Sequence, residues 1–484
     1  MSESDARRSG GRTAVVWFRR DLRVHDHPAL ARAASAFDRV APVFVLDERL
    51  IGPAAGVSGG AGAADGAAVV SAAGAEWPAV RSPNRVWFML RCVAELAESL
   101  AKLGAPLTIL RGDAAGEVAR FARDVEADAV LISRDYAPYG RRRDSRASAA
   151  LRGSGVRLEE APGILVHEPE EVLRSDGGHY TVFSPFLRSW QRVPMRESRP
   201  APERLEGSEH AGRGRDLLAD LLATVRPTAD PTFMPVPGEA AARDRLARWA
   251  SSPALPRYDE GRDRLDLDGT SRLSQDLRWG TLSPVDVLTA CHSDAPGPRR
   301  FEAELAWRDF YAHLLWHRPE LVRHALRPEL EDVARFRGGP LADAWRSGRT
   351  GYPVLDAAMR QLLATGWMHN RARMIAASFL TKQLGVDWRV GAAHFMEHLV
   401  DGDVASNTGG WQWAASTGAD PQPWFRLFNP LLQARRHDPT GDYVRRWVPE
   451  LAEPRADYPP PIVDATLARA AALAAYRERA RRSS

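Results

Sequence analysis

The chain has 484 residues, with 66 Lys and Arg against 62 Asp and Glu for a formal net charge of +4. That length exceeds what one hydrophobic core usually serves, so two domains are expected, and the near-balanced charge excludes a protein coated in basic residues. No apolar run reaches the roughly 20 residues of a bilayer span, MSESDARRSGGR lacks the apolar core of a secretory signal, and Cys92 and Cys291 stand too far apart to imply a disulfide framework or a cysteine-based metal site, which fits a reducing cytoplasm.

Four short apolar runs rich in β-branched residues lie in the first third: Thr13–Phe18, Val40–Leu46, Leu107–Leu110 and Ala129–Ser133. Helical patterns separate or follow them at His27–Ala36, Val86–Leu103, Ala114–Val125 and Arg142–Leu151. Buried strands alternating with helices predict a doubly wound parallel sheet, an α/β domain over residues 12–161. No G-x-G-x-x-G follows the first strand, so this sheet is not expected to hold a dinucleotide in the standard way. Residues 52–76 are Gly/Ala/Ser-rich and read as a flexible surface insertion. Residues 162–238 are rich in Pro, Arg and Glu with weak periodicity, which predicts an interdomain linker. From residue 239 to 484 helical periodicity dominates, so the second domain is expected to be all-α. Lys102 and Lys382 are the only lysines. Arginine suits phosphates and ring faces; a GC-rich genome gives the same bias, and both readings stand.

Gly269–Ser274 (GTSRLS) puts three hydroxyls near a helix start, either as a cap or as a cradle for a phosphate. Phe301–Arg318 reads as a helix on which Glu304, Trp307, Arg308 and Tyr311 fall at i, i+3, i+4 and i+7 and so share a face. An ordinary Glu304–Arg308 pair accounts for two of them. The four together also suit stacking a flat ring and bonding its polar edge. Over 365–379, Trp367, Asn370 and Met374 line one face of a helical pattern with Arg373 beside them. Between Gly351 and Pro430, Trp367, Trp388, Trp411, Trp413 and Trp424 share the chain with Arg371, Arg373, Arg426, Asp401, Asp403, Asn370 and Asn407. Aliphatic side chains fill a core without an indole N–H that needs a partner, so this mixture predicts a flat, polar-edged ligand or a path for electrons.

Two patterns resemble metal sites. His394 to His398 (HFMEH) matches H-x-x-E-H, with two imidazoles four residues apart on a helix. No third ligand is evident there, and Phe395, Met396 and Leu399 suit a packed helix. Asp401-Gly402-Asp403 opens like a calcium loop, yet Ala405 and Ser406 stand where an oxygen ligand and a glycine belong. No metal is expected.

Taken in order, WFRRDLRVHDHPAL at 17–30, TSRLS at 270–274, ELAWRDFY at 304–311, GYPVLDAAMRQLLATGWMHNRARM at 351–374 and DGDVASNTGGWQWAASTG at 401–418 resemble the motifs of the DNA photolyase/cryptochrome family. The resemblance runs from about residue 13 to about 476, the insertion excepted, and is strongest to bacterial class I cyclobutane pyrimidine dimer photolyases. It implies FAD in the helical domain and blue-light-driven electron transfer from the reduced flavin to a pyrimidine dimer flipped out of DNA. It implies that Tyr258, Thr270, Ser271, Arg272, Leu273 and Ser274 contact the phosphate and ribose of FAD. Arg308, Arg373, Asp401, Gly402 and Asp403 are implied as its further contacts, and Asn407 as the residue facing the redox-active nitrogen. Glu304, in protonated form, would bond the pyrimidine carbonyl, with Trp307, Trp413 and Met374 against the dimer. Arg262, Tyr311, Asn370, Arg371, Arg426 and Gln433 would meet the DNA strand, where phosphate contacts give affinity without sequence preference.

The resemblance has two departures. Family members reduce the flavin through three tryptophans; Trp411 and Trp388 match the inner two, and Phe336 takes the outer place, so photoreduction is expected to be impaired or rerouted. In the α/β domain, Tyr139-Gly140 stand where folate-binding members carry Asn-Glu, so the expected antenna is 8-hydroxy-5-deazaflavin, with Asp135 as a ligand. A cryptochrome, the alternative reading, would carry a C-terminal extension and lack the dimer-binding residues; here the chain ends at ARRSS and Glu304, Trp307, Asn370 and Trp413 are present. Trp367-Met368-His369-Asn370 argues against an enzyme for (6-4) photoproducts, which uses a histidine pair. The expected protein is a cytoplasmic monomer that repairs dimer-bearing DNA.

Overall fold

The structure, a computed structural model, describes residues 11–51, 81–331, 333–334, 336–420, 427–452 and 458–482. The expected insertion at 52–76 and Arg426 lie outside the described residues.

Five parallel strands form one sheet in the order β3-β2-β1-β4-β5. They are β1 (Thr13–Phe18), β2 (Arg39–Asp47), β3 (Thr108–Gly112), β4 (Ala129–Ser133) and β5 (Arg157–Ala161). β1 shows the two-residue alternation of a strand covered on both faces. Ala14, Val16 and Phe18 enter one core with the helices Pro28–Ala36 and Pro83–Leu103, while Val15 and Trp17 enter another with Ala114–Asp124 and Pro138–Arg152. β5 (RLEEA) has no sequence signal, because an edge strand with no fully buried residue needs no apolar run.

Within residues 162–238 the structure places two helices that weak periodicity conceals, Phe183–Trp190 and Arg215–Thr224. This segment is pinned to the sheet by backbone bonds, Val40 N–H to the Glu206 carbonyl (2.8 Å) and Ile109 N–H to the Arg213 carbonyl (2.8 Å). Beyond it, the described residues are helical. The helices that matter for the site are Pro296–His317, Pro353–Thr365, Asn370–Ser378, Trp388–His398, Val404–Ala414 and Pro430–His437.

The single helix expected over 365–379 is broken. Gly366 (φ +67°) ends the preceding helix in the left-handed conformation that glycine adopts at low cost. Trp367 and Met368 lie in the connection, and His369 caps the new helix, its Nδ1 accepting from Arg371 N–H at 3.1 Å. The hydroxyl cap conceivable at Gly269–Ser274 is also not made: the helix Ser274–Trp279 has Leu273 at its N-cap and no side-chain bond there. Among the described residues no helix is long and apolar enough to cross a membrane.

Candidate cofactor and nucleic-acid site

WFRRDLRVHDHP forms the turn between β1 and the first helix, and its polar residues tie this turn to the rest of the molecule. Asp21 and His27 pair at 2.9 Å, which holds His27 as the N-cap accepting from Leu30 N–H. Arg23 is fully enclosed and donates to the carbonyls of Asp26 (2.7 Å), Gly163 (2.8 Å) and Gly280 (3.0 Å), joining the turn to residues far along the chain. Glu239 accepts from Val24 and His25 N–H at 2.7 and 3.0 Å.

At the carboxyl ends of β1, β2 and β4, beside the point where the strand order reverses, lies a cavity of about 140 Å³. Its walls include Trp17, Asp47, Asp135, Tyr139 and Arg143, and, from the helical half, Arg278 and Met396. Asp135 is buried, yet its contacts with Arg143 and Arg20 are long, 3.4 and 3.5 Å. Burial opposes its charge, but Arg20 and Arg143 outweigh that and keep the carboxyl below its ordinary range. Tyr139 donates to Asp47.

Arg20 links this cavity to the helical half: its other nitrogen meets Asp403 at 2.6 Å. Asp403 caps the Val404–Ala414 helix, accepting from Ser406 N–H at 3.0 Å. Its carboxyl lies well below the usual range, because Arg20 and Arg278 overcome the burial that would raise it. Arg278 donates to the Gly402 carbonyl at 2.8 Å and keeps a second buried nitrogen without a protein partner; burial lowers its guanidinium to about 9. Arg20 and Arg278 escape sequence reasoning. The first stands inside a motif with no local sign of its reach, and the second lies beyond TSRLS on a helix of ordinary composition.

Asp401 accepts from Arg373 at 2.7 Å through one oxygen, and its other oxygen is buried without a partner. Arg373 also donates to the Met368 carbonyl at 2.8 Å. Asn407 donates from its amide to the Ala392 carbonyl at 3.0 Å. On the same helix a Cβ at Gly409 would strike the Tyr311 ring at 2.1 Å, so the helices meet there, whereas a Cβ at Gly410 would meet nothing within 4 Å. One glycine allows packing and its neighbour faces open space.

The predicted face of the Pro296–His317 helix exists, but its members part company. Arg308 turns toward the carbonyls of Ile164 (2.6 Å) and Leu277 (3.1 Å) and makes no pair with Glu304. Glu304 instead pairs with Arg262, and with Arg300 at 3.3 Å. These guanidiniums make it an acceptor here, whereas the sequence reading has it as a donor. Trp307 stacks on Phe183 (centroids 3.7 Å, 10°) and tilts against Tyr311 at 5.3 Å. Tyr258 is buried with its ring edge-on to Phe301, and Arg262 follows one turn later. Arg371 pairs with Asp263, and Asn370 sits 3.8 Å from the Met374 sulfur. Gln433 leaves a buried carbonyl oxygen unpartnered. Arg272 adopts φ +50° and stands over the Trp367 ring at 5.1 Å. The hydroxyls of Thr270, Ser271 and Ser274 cap nothing in this helix.

Trp411 and Trp388 are buried, and neither indole N–H has a partner. Trp413 is half-buried against the same core. Phe336 is 48% exposed and bridges to Val386, two residues before Trp388.

Residues 14–204 match the DNA photolyase family, and residues 301–457 match the FAD binding domain of DNA photolyase. A deoxyribodipyrimidine photo-lyase of Synechococcus sp. is 36% identical over 94% of this chain and 94% of its own. A crystal structure of a bacterial class III photolyase from Agrobacterium tumefaciens superposes with a TM-score of 0.86 at 34% identity, covering 99% of this chain and 100% of the other. An archaeal photolyase from Sulfolobus tokodaii with two FAD molecules, for which a novel light-harvesting cofactor is implicated, gives 0.81 at 29% identity over 96% of this chain and 100% of the other.

Proposed function

We infer the function from one premise: the chain belongs to the DNA photolyase family. It repairs cyclobutane pyrimidine dimers in DNA by a light-driven cleavage of carbon–carbon bonds. The observation that carries this reading is the half-satisfied polar site around Asp401. The free Asp401 oxygen and the spare Arg278 nitrogen offer a buried acceptor and a buried donor that the protein does not use itself.

These residues fit FAD. Asp401, Arg373, Arg278 and Asn407 would hold its ring system and nearby polar groups, and Tyr258 with the Thr270–Ser274 turn its phosphate and ribose. Bound and reduced, FAD would supply, on absorbing blue light, the electron that opens the cyclobutane ring, and would recover it once the ring has split. The chain's own residues do the rest. Photolyases are among the enzymes that take their target out of the stack. Trp307, already flat against Phe183, offers an aromatic face to the extruded bases, with Trp413 and Met374 completing the pocket. Glu304 reaches the pyrimidine edge once Arg262 and Arg300 release it to the phosphates, where arginine binds without reading sequence. A proton on Glu304 then faces the oxygen on which charge develops. Asn370, Arg371, Tyr311 and Gln433 meet the strand beside it.

The cavity by Asp135 is the antenna site. Its long contacts leave Asp135 free to bond a flat chromophore, and 8-hydroxy-5-deazaflavin is the class expected. The protein acts as a monomer in the cytoplasm, where two buried, unpaired cysteines suit the reducing environment. The decisive experiment mixes reduced protein with an oligonucleotide carrying one thymine dimer. Intact thymines formed only under illumination support the reading; a colourless protein that repairs nothing overturns it.

A further inference from the structure

The H-x-x-E-H segment plays no part in the proposed chemistry, yet the fold assembles it. His394, Glu397 and His398 occupy the last two turns of the Trp388–His398 helix, where spacings of three and four residues bring side chains onto one face. One ligand atom from each lies within 4.8 Å of the others. The two imidazole centroids are 4.6 Å apart, and His398 Nε2 stands 4.0 Å from a Glu397 oxygen. We propose that His394, Glu397 and His398 bind one divalent transition-metal ion of the zinc class.

Three observations support the site. Two imidazoles and a carboxylate form a zinc donor set that leaves a fourth position for water. Glu397, with its side chain 56% exposed, opens the cluster to solvent on that side. His394 is only 7% exposed and its Nε2 is buried with no hydrogen-bond partner. Packing explains the burial, since the ring lies edge-on to Trp345 at 5.5 Å, but leaves that nitrogen unsatisfied. Bonds of about 2.0 Å to zinc would draw the ligand atoms to roughly 3.3 Å from one another, a rotamer adjustment of about 1 Å.

The ion would staple the end of a helix that already anchors its neighbours. The His398 carbonyl accepts from Asn84 at 2.6 Å and the Met396 carbonyl from Arg85. Three residues beyond His398 comes Asp401. The role inferred is structural, steadying the turn that presents Asp401 and Asp403.

The test uses full-length, FAD-loaded protein stripped with a chelator and passed through gel filtration. Zinc is titrated by calorimetry, and retained metal is counted by elemental analysis. One equivalent should bind and raise the midpoint of thermal unfolding. His398→Gln, at a half-buried position, and Glu397→Ala, at an exposed one, should weaken binding roughly 100-fold while leaving flavin absorbance unchanged. His324→Ala, outside the cluster, should bind as the parent does. Absence of stoichiometric zinc in the parent protein, or parental affinity in His398→Gln, overturns the proposal.

Discussion

Two clusters of arginines and acids, linked through Arg20, are built from the same residue types with opposite outcomes. At the strand ends, Arg19 and Arg143 share Asp144 at 2.8 and 2.9 Å, and both guanidiniums lie over Trp17, at 4.9 and 5.1 Å from its ring centre. Each guanidinium there bonds a carboxylate, Arg143 reaching Asp135 as well at 3.4 Å. Around Asp401, Arg373 satisfies one oxygen, while the other oxygen and nitrogens of Arg278 and Arg371 are buried without partners. A cluster that satisfies itself is scaffold; a cluster with spare donors and acceptors is a receptor.

Breaking the scaffold should have the largest effect. Asp144→Ala strands Arg19 as a buried charge and leaves Arg143 only its longer contact with Asp135, and the cost should be about 3–5 kcal/mol of folding stability. Denaturant unfolding measures it, and FAD affinity of the folded fraction should hardly change. If FAD affinity falls in step with stability, the division into scaffold and receptor fails.

Acid should act next. His369 lies in the receptor cluster, and burial lowers its imidazole to about 4. A histidine whose folded value is depressed stabilises the fold fully above its ordinary value near 6.5, and that contribution disappears as pH falls toward 4. The loss should approach about 3 kcal/mol. Unfolding midpoints measured between pH 7 and pH 4 should show it, and His369→Asn, which keeps an acceptor at the cap, should flatten the slope.

Asp401→Asn should matter more to binding than to folding. Weakening one charge-assisted bond to Arg373 and one to the cofactor, at about 1.5–3 kcal/mol each, should reduce FAD affinity roughly 100-fold, read by flavin fluorescence titration. Stability loss without affinity loss would move Asp401 to the scaffold.

The smallest effect should come from Phe336→Ala. A phenyl ring is harder to oxidise than an indole, so light-driven reduction of bound flavin with an external donor should not slow. Phe336→Trp should speed it. Fast reduction in the parent protein that Phe336→Ala abolishes would contradict this reading.

The two halves were unequally legible. β1 and β4 fall on the residues that apolar runs predict, because a strand buried on both faces announces itself by composition. β5 does not, since its flank is open. The motifs of the helical half named Asp401, Arg373 and Asn407 directly. They could not reveal that Arg308 turns to backbone carbonyls, that Arg262 covers Glu304, or that Arg20 reaches Asp403 across 383 positions. Those pairings join residues with no local relation.

Chain order and side-chain type, then, were sufficient for the class of fold and the family. What only the folded chain decided is which polar atoms found partners and which were left over. That follows from distance, because hydrogen bonds and ion pairs form between groups within about 3–4 Å, and sequence separation says nothing of which groups those are.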